Sequence, residues 1–239
     1  MKKRSSGIKP LKISDFLTIE YTKEHWKIFN EKRKQALQLM EILTKNNLNA
    51  LLYGSICRGD VSEQSDIDLF IPYEISSFKI ESALEQEGKK IFEKRIVQAT
   101  PKHLVKGHIY LDELTCLTFP LTSIREREFD FIQFGGSLSY KEMVEQKRVP
   151  GVDKRLILIE PTEKGHQESP VIGYESIIAR KVGVSVELVK ERIRILTTRD
   201  KTGRTGVYLN MVLSSEENFE EVFKQLVDSD PIVRRRAKL

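Results

Sequence analysis

Between residues 54 and 71 the chain reads Gly-Ser-Ile-Cys-Arg-Gly-Asp-Val-Ser-Glu-Gln-Ser-Asp-Ile-Asp-Leu-Phe-Ile. Asp66 and Asp68 stand two apart in a stretch that alternates like a strand, so their side chains share one face while Ile67, Leu69 and Ile71 face a core. Two adjacent carboxylates repel each other unless a proton or a cation lies between them, and hard oxygen donors of this kind suit Mg2+ or Mn2+. A metal pair held there could bridge nucleotide phosphates and activate an attacking hydroxyl. Twelve residues earlier, Gly54-Ser55 ends one strand and opens a helix. Backbone N–H groups, a small hydroxyl and a helix start can receive a phosphate at such a place, and Arg58, one turn on, can add a bidentate contact. No P-loop pattern occurs. Cys57 reads as a small buried hydrophobe. Arg58-Gly59-Asp60 also spells an integrin-binding tripeptide, which a cytoplasmic chain sets aside.

These residues need elements to hold them. Trp26, Phe29, Leu37, Met40 and Leu43 recur three or four apart, which predicts a helix from Tyr21 to about Asn47, capped by Thr22. Residues 49–53 and 65–71 predict strands, Ser76 to Gly88 a helix that Ser77 can cap, and 91–99 and 107–121 further strands with a hairpin turn at Asp112-Glu113. Phe134-Gly135-Gly136-Ser137 reads as a linker. Beyond it we expect a short helix at 139–147, a strand at 155–160 and a polar loop from Pro161 to Gly173. The chain thus divides into a basic segment 1–20, a domain 21–135 and a module 136–239.

At 239 residues, 39% hydrophobic and 31% charged, the chain can bury a core. Its longest apolar runs are far shorter than the ~20 residues of a membrane span, and Lys2-Lys3-Arg4 precedes no apolar segment, so a cytoplasmic protein is expected. Two cysteines, Cys57 and Cys116, build neither a disulfide framework nor a zinc site. The net charge of +5 is uneven, with +6 over residues 1–49, −4 over 50–135 and +3 over 136–239. Basic ends suit a polyanionic partner.

Gly-Ser, Arg-Gly-Asp and Ser-Asp-x-Asp on two successive strands resemble the signature of the DNA polymerase β-like nucleotidyltransferase superfamily, over roughly residues 20–120. The whole chain further resembles stand-alone archaeal nucleotidyltransferases with a helix-turn-helix-like C-terminal region. The resemblance implies an α+β fold, a small mixed sheet with flanking helices, plus a mainly helical C-terminal module. It also implies Mg2+ (or Mn2+) at Asp66 and Asp68, and an NTP such as ATP bound through Gly54, Ser55, Arg58 and Ser65. Active members carry a third carboxylate on a later strand. The matching strand here, residues 114–120, offers Thr115 or Thr118 instead, and the nearby substitutes are Asp112 and Asp130.

In the C-terminal part, residues 175–196 predict two helices joined at Gly183, with Ser185 capping the second. Lys190 and Arg194 on that helix, then Arg199 and Arg204 before a strand-like wing at 207–210, are candidate nucleic-acid contacts. Lys154, Arg155, Lys164 and His166 could face an anionic substrate, and Arg234 to Lys238 reads as a frayed basic tail. The function expected is metal-dependent transfer of a nucleoside monophosphate from an NTP to a hydroxyl acceptor, RNA, with release of pyrophosphate. The alternatives are a catalytically inactive nucleic-acid-binding regulator on the same fold and an enzyme that modifies a protein partner. The oligomeric state is left open.

Overall fold

The structure, a computed structural model, describes residues 16–203 and 206–238. Strand β1 (Leu17–Glu20) leads into the long helix α1 (Lys23–Lys45), then β2 (Leu51–Tyr53), α2 (Ser55–Arg58), β3 (Ile67–Phe70) and α3 (Ser77–Gln86). A meander of β4 (Glu93–Gln98), β5 (Val105–Tyr110) and β6 (Thr115–Pro120) precedes α4 (Glu126–Phe134), β7 (Ser137–Ser139) and α5 (Tyr140–Val144). Then come β8 (Gly151–Val152), β9 (Ile157–Thr162), β10 (Gly165–Pro170), α6 (Glu175–Val182) and α7 (Val186–Thr202). The chain closes with β11 (Leu209–Leu213), α8 (Phe219–Ser229) and α9 (Pro231–Ala237). Among the described residues no helix is long and apolar enough to cross a membrane.

Two sheets result, a seven-stranded one in the order β11-β4-β5-β6-β3-β2-β7 and a four-stranded one in the order β1-β10-β9-β8. The first is mixed, because β3 runs parallel to β6 while its other pairs are antiparallel, and the fold is α+β as expected. Alternation sends Leu52, Ile67, Leu69, Leu117, Phe119 and Leu138 into the main core. Helix α1 covers that core with Phe29, Ala36, Leu39, Met40 and Leu43, and Thr22 caps it by accepting the His25 N–H at 3.2 Å, a contact worth ~1 kcal/mol. Gly107 lies across from Phe119 in the β5–β6 ladder, so tightly that any Cβ there would overlap the ring.

The division expected at Gly135-Gly136 is crossed twice. Strand β7 pairs with β2, and β11 pairs with β4 at the far edge of the same sheet. Phe219, Val222, Leu226 and Val233 of α8 and α9 lie in the main core. Glu220 also accepts hydrogen bonds from Ser77 N at 2.6 Å and Ser77 Oγ at 2.8 Å, so a C-terminal carboxylate caps α3. The two glycines are pinned, since Gly135 O accepts from Arg58 Nη1 (2.6 Å) and Gly136 O from Gly54 N (2.9 Å).

Four further expectations are corrected. The polar loop 161–173 contains β10, which pairs with β9 and β1 and buries His166, Glu168 and Ser169. The basic segment 1–20 contributes β1, although its first 15 residues lie outside the described ones. The wing at 207–210 leads into sheet strand β11. The basic tail is a helix capped by Asp230, with Arg236 fully buried and bound to Ser123 O (2.7 Å) and Glu128 (2.9 Å). Helices α6 and α7 form where expected, joined through Gly183 (φ 72°) and the Ser185 cap. Ile178, Ala179, Val182, Leu188 and Val189 pack on Val152, Leu156, Leu158 and Val171 in a second, smaller core.

Candidate active site

Strand β2 ends in a backbone conformation that favours glycine. Gly54 has φ 96° and ψ −150°, and directly after it Ser55 begins the single turn of α2, which Gly59 (φ 113°) closes. The antiparallel register places Tyr53 opposite Asp68, and the parallel register of β3 and β6 places Asp68 beside Cys116, itself opposite Tyr110. Paired residues share a face, so Tyr53, Asp68, Cys116 and Tyr110 form one row, with Phe70, Thr118 and His108 in the next. This face lies opposite the main core, and Asp66, just before β3, extends it toward solvent.

Asp66 is exposed and Asp68 half-buried. Burial, and then the Asp66 charge, push the Asp68 carboxyl up to about 7, against the pull of Lys154 and Lys106. A carboxylate so strained electrostatically gains from a cation, and two hard oxygen donors on one face fit a divalent ion such as Mg2+. The rest of such an ion's shell would have to come from water and phosphate, because among the described residues no group of three His, Cys, Asp or Glu is placed to hold a metal.

The third-carboxylate position is therefore clear. On β6 the side chains facing with Asp68 are Cys116 and Thr118, and Thr115 belongs to the core face. His108 Nδ1 lies 3.0 Å from Thr118 Oγ1 and 3.4 Å from Cys116 Sγ. Burial, then Lys106 and Arg95, push His108 down to about 3, and burial pushes Cys116 up to about 12, so imidazole and thiol are both neutral near pH 7. Asp112 instead accepts from Leu114 N (2.7 Å) and Thr115 N (2.8 Å), tying the hairpin turn, and Asp130 sits on α4. Neither joins the pair.

Ser65 fixes the turn before Asp66, accepting from Ser62 N through Oγ and from Lys32 Nζ through its carbonyl, both at 2.9 Å. Arg58 departs from expectation. Its fork is taken by Asp60, through Nε at 2.9 Å and Nη2 at 2.8 Å, and by Gly135 O, and the residue is 5% exposed. It braces the site from behind and does not present its guanidinium to a phosphate. Cys57 is buried, its thiol donating to Leu52 O at 3.1 Å and pushed up to about 12 by burial.

Of the cations expected across the cleft, Arg155 is held by Asp153 and Glu168, each at 2.5 Å, and His166 Nδ1 lies 2.6 Å from the Tyr21 hydroxyl. Lys164 and Lys154 are exposed, and only Lys154 among the four acts on Asp68. Sequence reasoning missed Lys106. It follows from alternation, since Lys106, His108 and Tyr110 are the polar members of a strand whose Val105, Gly107 and Ile109 are buried. Lys190, Arg194 and Arg199 are exposed on α7, which packs against α4, and Arg204 lies outside the described residues.

Residues 23–132, from α1 into α4, match the family model described as the nucleotidyltransferase domain. This segment is a nucleotidyltransferase domain of the polymerase β-like superfamily. No curated protein and no solved structure matches the chain.

Proposed function

We propose that this domain transfers a nucleoside monophosphate from an NTP, ATP among them, to a hydroxyl of RNA. The acceptor oxygen forms a bond to the α-phosphorus, the bond to the β-phosphate bridging oxygen breaks, and pyrophosphate leaves. The observation that carries this reading is the juxtaposition, on the ends of paired strands, of the Gly54-Ser55 turn with the Asp66/Asp68 carboxylates, inside the segment that matches the family. Family members generally use divalent ions. Asp66 and Asp68 would hold Mg2+ or Mn2+, which supplies charge neutralisation of the phosphates. Gly54 lets the backbone approach the triphosphate, Ser55 offers its hydroxyl, and Lys154 adds a cation from the β8–β9 side. Catalysis on such a site is mainly positioning and electrostatics. With no third carboxylate on the face among the described residues, the acceptor proton leaves through water. Lys190, Arg194 and Arg199 would contribute to holding the acceptor.

Incubation with Mg2+, each labelled NTP and total RNA should label an acceptor. Label that persists after combined Asp66→Asn and Asp68→Asn substitution would remove these residues from the chemistry.

One observation favours a second reading. Cys116 and Thr118, tied to His108, occupy the strand face where a third carboxylate would stand. A regulator that binds nucleic acid without catalysis would bind RNA in a salt-sensitive, Mg2+-independent way and turn over no NTP.

A further inference from the structure

Lys94 and Lys106 are both lysines of the central meander with their stems packed in the sheet, yet they differ in partners. Lys94 Nζ donates to Glu217 O at 2.5 Å and reaches Glu81 at 3.4 Å. Lys106 has no hydrogen-bond or ion-pair partner among the described residues, and it shares the face of Asp68. Lys106 is half-buried, and its ammonium, on the face of Asp68 and without a hydrogen-bonded carboxylate, can receive an anionic ligand.

A second cation without a hydrogen-bonded partner packs against α4. The Arg192 guanidinium of α7 sits 4.6 Å over the Phe131 ring, and its Nε is buried without a partner. Burial, then Arg199, push Arg192 down to about 10, which leaves it fully charged at neutral pH. Both cations act on His103, which is held below its ordinary value by burial, with Lys106 and Arg192 adding to the shift and Glu128 and Glu191 opposing it. Those carboxylates are already engaged. Glu128 accepts from Leu104 N, Arg125 N and Arg236, and Glu191 pairs with Arg127 at 3.9 Å. Neither Lys106 nor Arg192 has a hydrogen-bonded carboxylate among the described residues, and Phe131, 38% exposed, offers a ring beside Arg192.

We propose that Lys106, Arg192 and Arg199 form a phosphate-binding track that leads a single-stranded RNA from Asp66 and Asp68 past α4 onto α7, with Phe131 as a stacking surface for a base. The direction of the track rests on the nucleotidyl-transfer reading, since the acceptor end must reach the carboxylate pair. A single strand is indicated because cations interleaved with an exposed aromatic ring serve unpaired bases and a flexible backbone.

The test is fluorescence anisotropy of a short labelled oligo-uridine with the full chain, across a salt series, alongside ATP affinity in Mg2+. Lys106→Met and Arg192→Met should each weaken RNA binding roughly threefold to tenfold and lower the salt slope by about one. Lys106→Arg should restore binding, and Arg192→Met, away from the carboxylate pair, should leave ATP affinity unchanged. Lys45→Ala, a charge loss on α1, should leave RNA binding as it was. If Arg192→Met does not fold, Arg199→Ala at the exposed end of the track takes its place. RNA affinity unmoved by these substitutions, equal loss in Lys45→Ala, loss of ATP binding in Arg192→Met instead of loss of RNA binding, tighter binding of duplex than of single strand, or no RNA binding at all would each overturn the track. Intact track behaviour without NTP turnover would overturn the nucleotidyl-transfer reading alone.

Discussion

Arg58–Asp60 and Asp66–Asp68 stand six to ten residues apart on one loop-and-strand segment, and they resolve their charges in opposite ways. Arg58 meets Asp60 through two parallel hydrogen bonds and places its remaining bond on Gly135 O, so the pair is satisfied and nearly sealed from solvent. Asp66 and Asp68 face each other's charge at the open end of β3, with only Lys154 and Lys106 acting on Asp68 in compensation. A charge whose partner lies within the chain holds the fold. A like-charge pair without such a partner gains from a cation.

The largest effect that would break the comparison concerns activity. Combined Asp66→Asn and Asp68→Asn should lower transfer at least roughly 100-fold, while the melting temperature without metal stays level or rises, because a strained repulsion is removed. A fall in melting temperature would make the pair structural. Asp60→Ala should do the reverse in stability, stranding a buried guanidinium at a cost of roughly 3–5 kcal/mol, read from urea unfolding. A loss below about 1 kcal/mol would show that Arg58 finds other company. Next, Gly54→Ala must hold alanine at φ 96°, a strain on the order of 1–3 kcal/mol, and should raise the KM for NTP more than the KM for acceptor.

The smallest effect concerns His108. Its folded pKa is about 3, below the ~6.5 of an unfolded histidine, so the unfolded chain takes up the proton first. The stability this group contributes is present above pH ~6.5 and is lost as pH falls toward 3. His108→Asn should therefore flatten the decline in urea midpoint between pH 7 and 4.5, and an unchanged slope would count against a neutral, buried imidazole.

Much of this architecture is legible in the sequence because it rests on local rules. Period-two alternation found β3, period-3.6 spacing and the Thr22 cap found α1, and Gly183 with Ser185 found the α6–α7 joint. What escaped depends on partners distant in the chain. Gly165 to Pro170 has no β-branched residue and reads as a loop, yet it is a strand because β9 and β1 flank it and Arg155 neutralises Glu168. Arg236 looks like a solvated tail until Glu128, 108 residues away, takes its charge. That Asp66 and Asp68 act on each other from one end of β3 was readable from their spacing. A sequence cannot show that Asp60 and Gly135 engage the fork of Arg58.

The crossing of β7 and β11 into the main sheet has a practical corollary. A fragment cut after Gly135 would retain the whole family-matching segment yet lose both outer strands, turning β2 and β4 into raw edges and stripping away the Phe219 and Val222 side chains that close the core. Unprotected edges of this sort recruit other chains. Such a fragment should precipitate on expression, and recombination that swaps C-terminal modules among relatives would have to carry those two strands along.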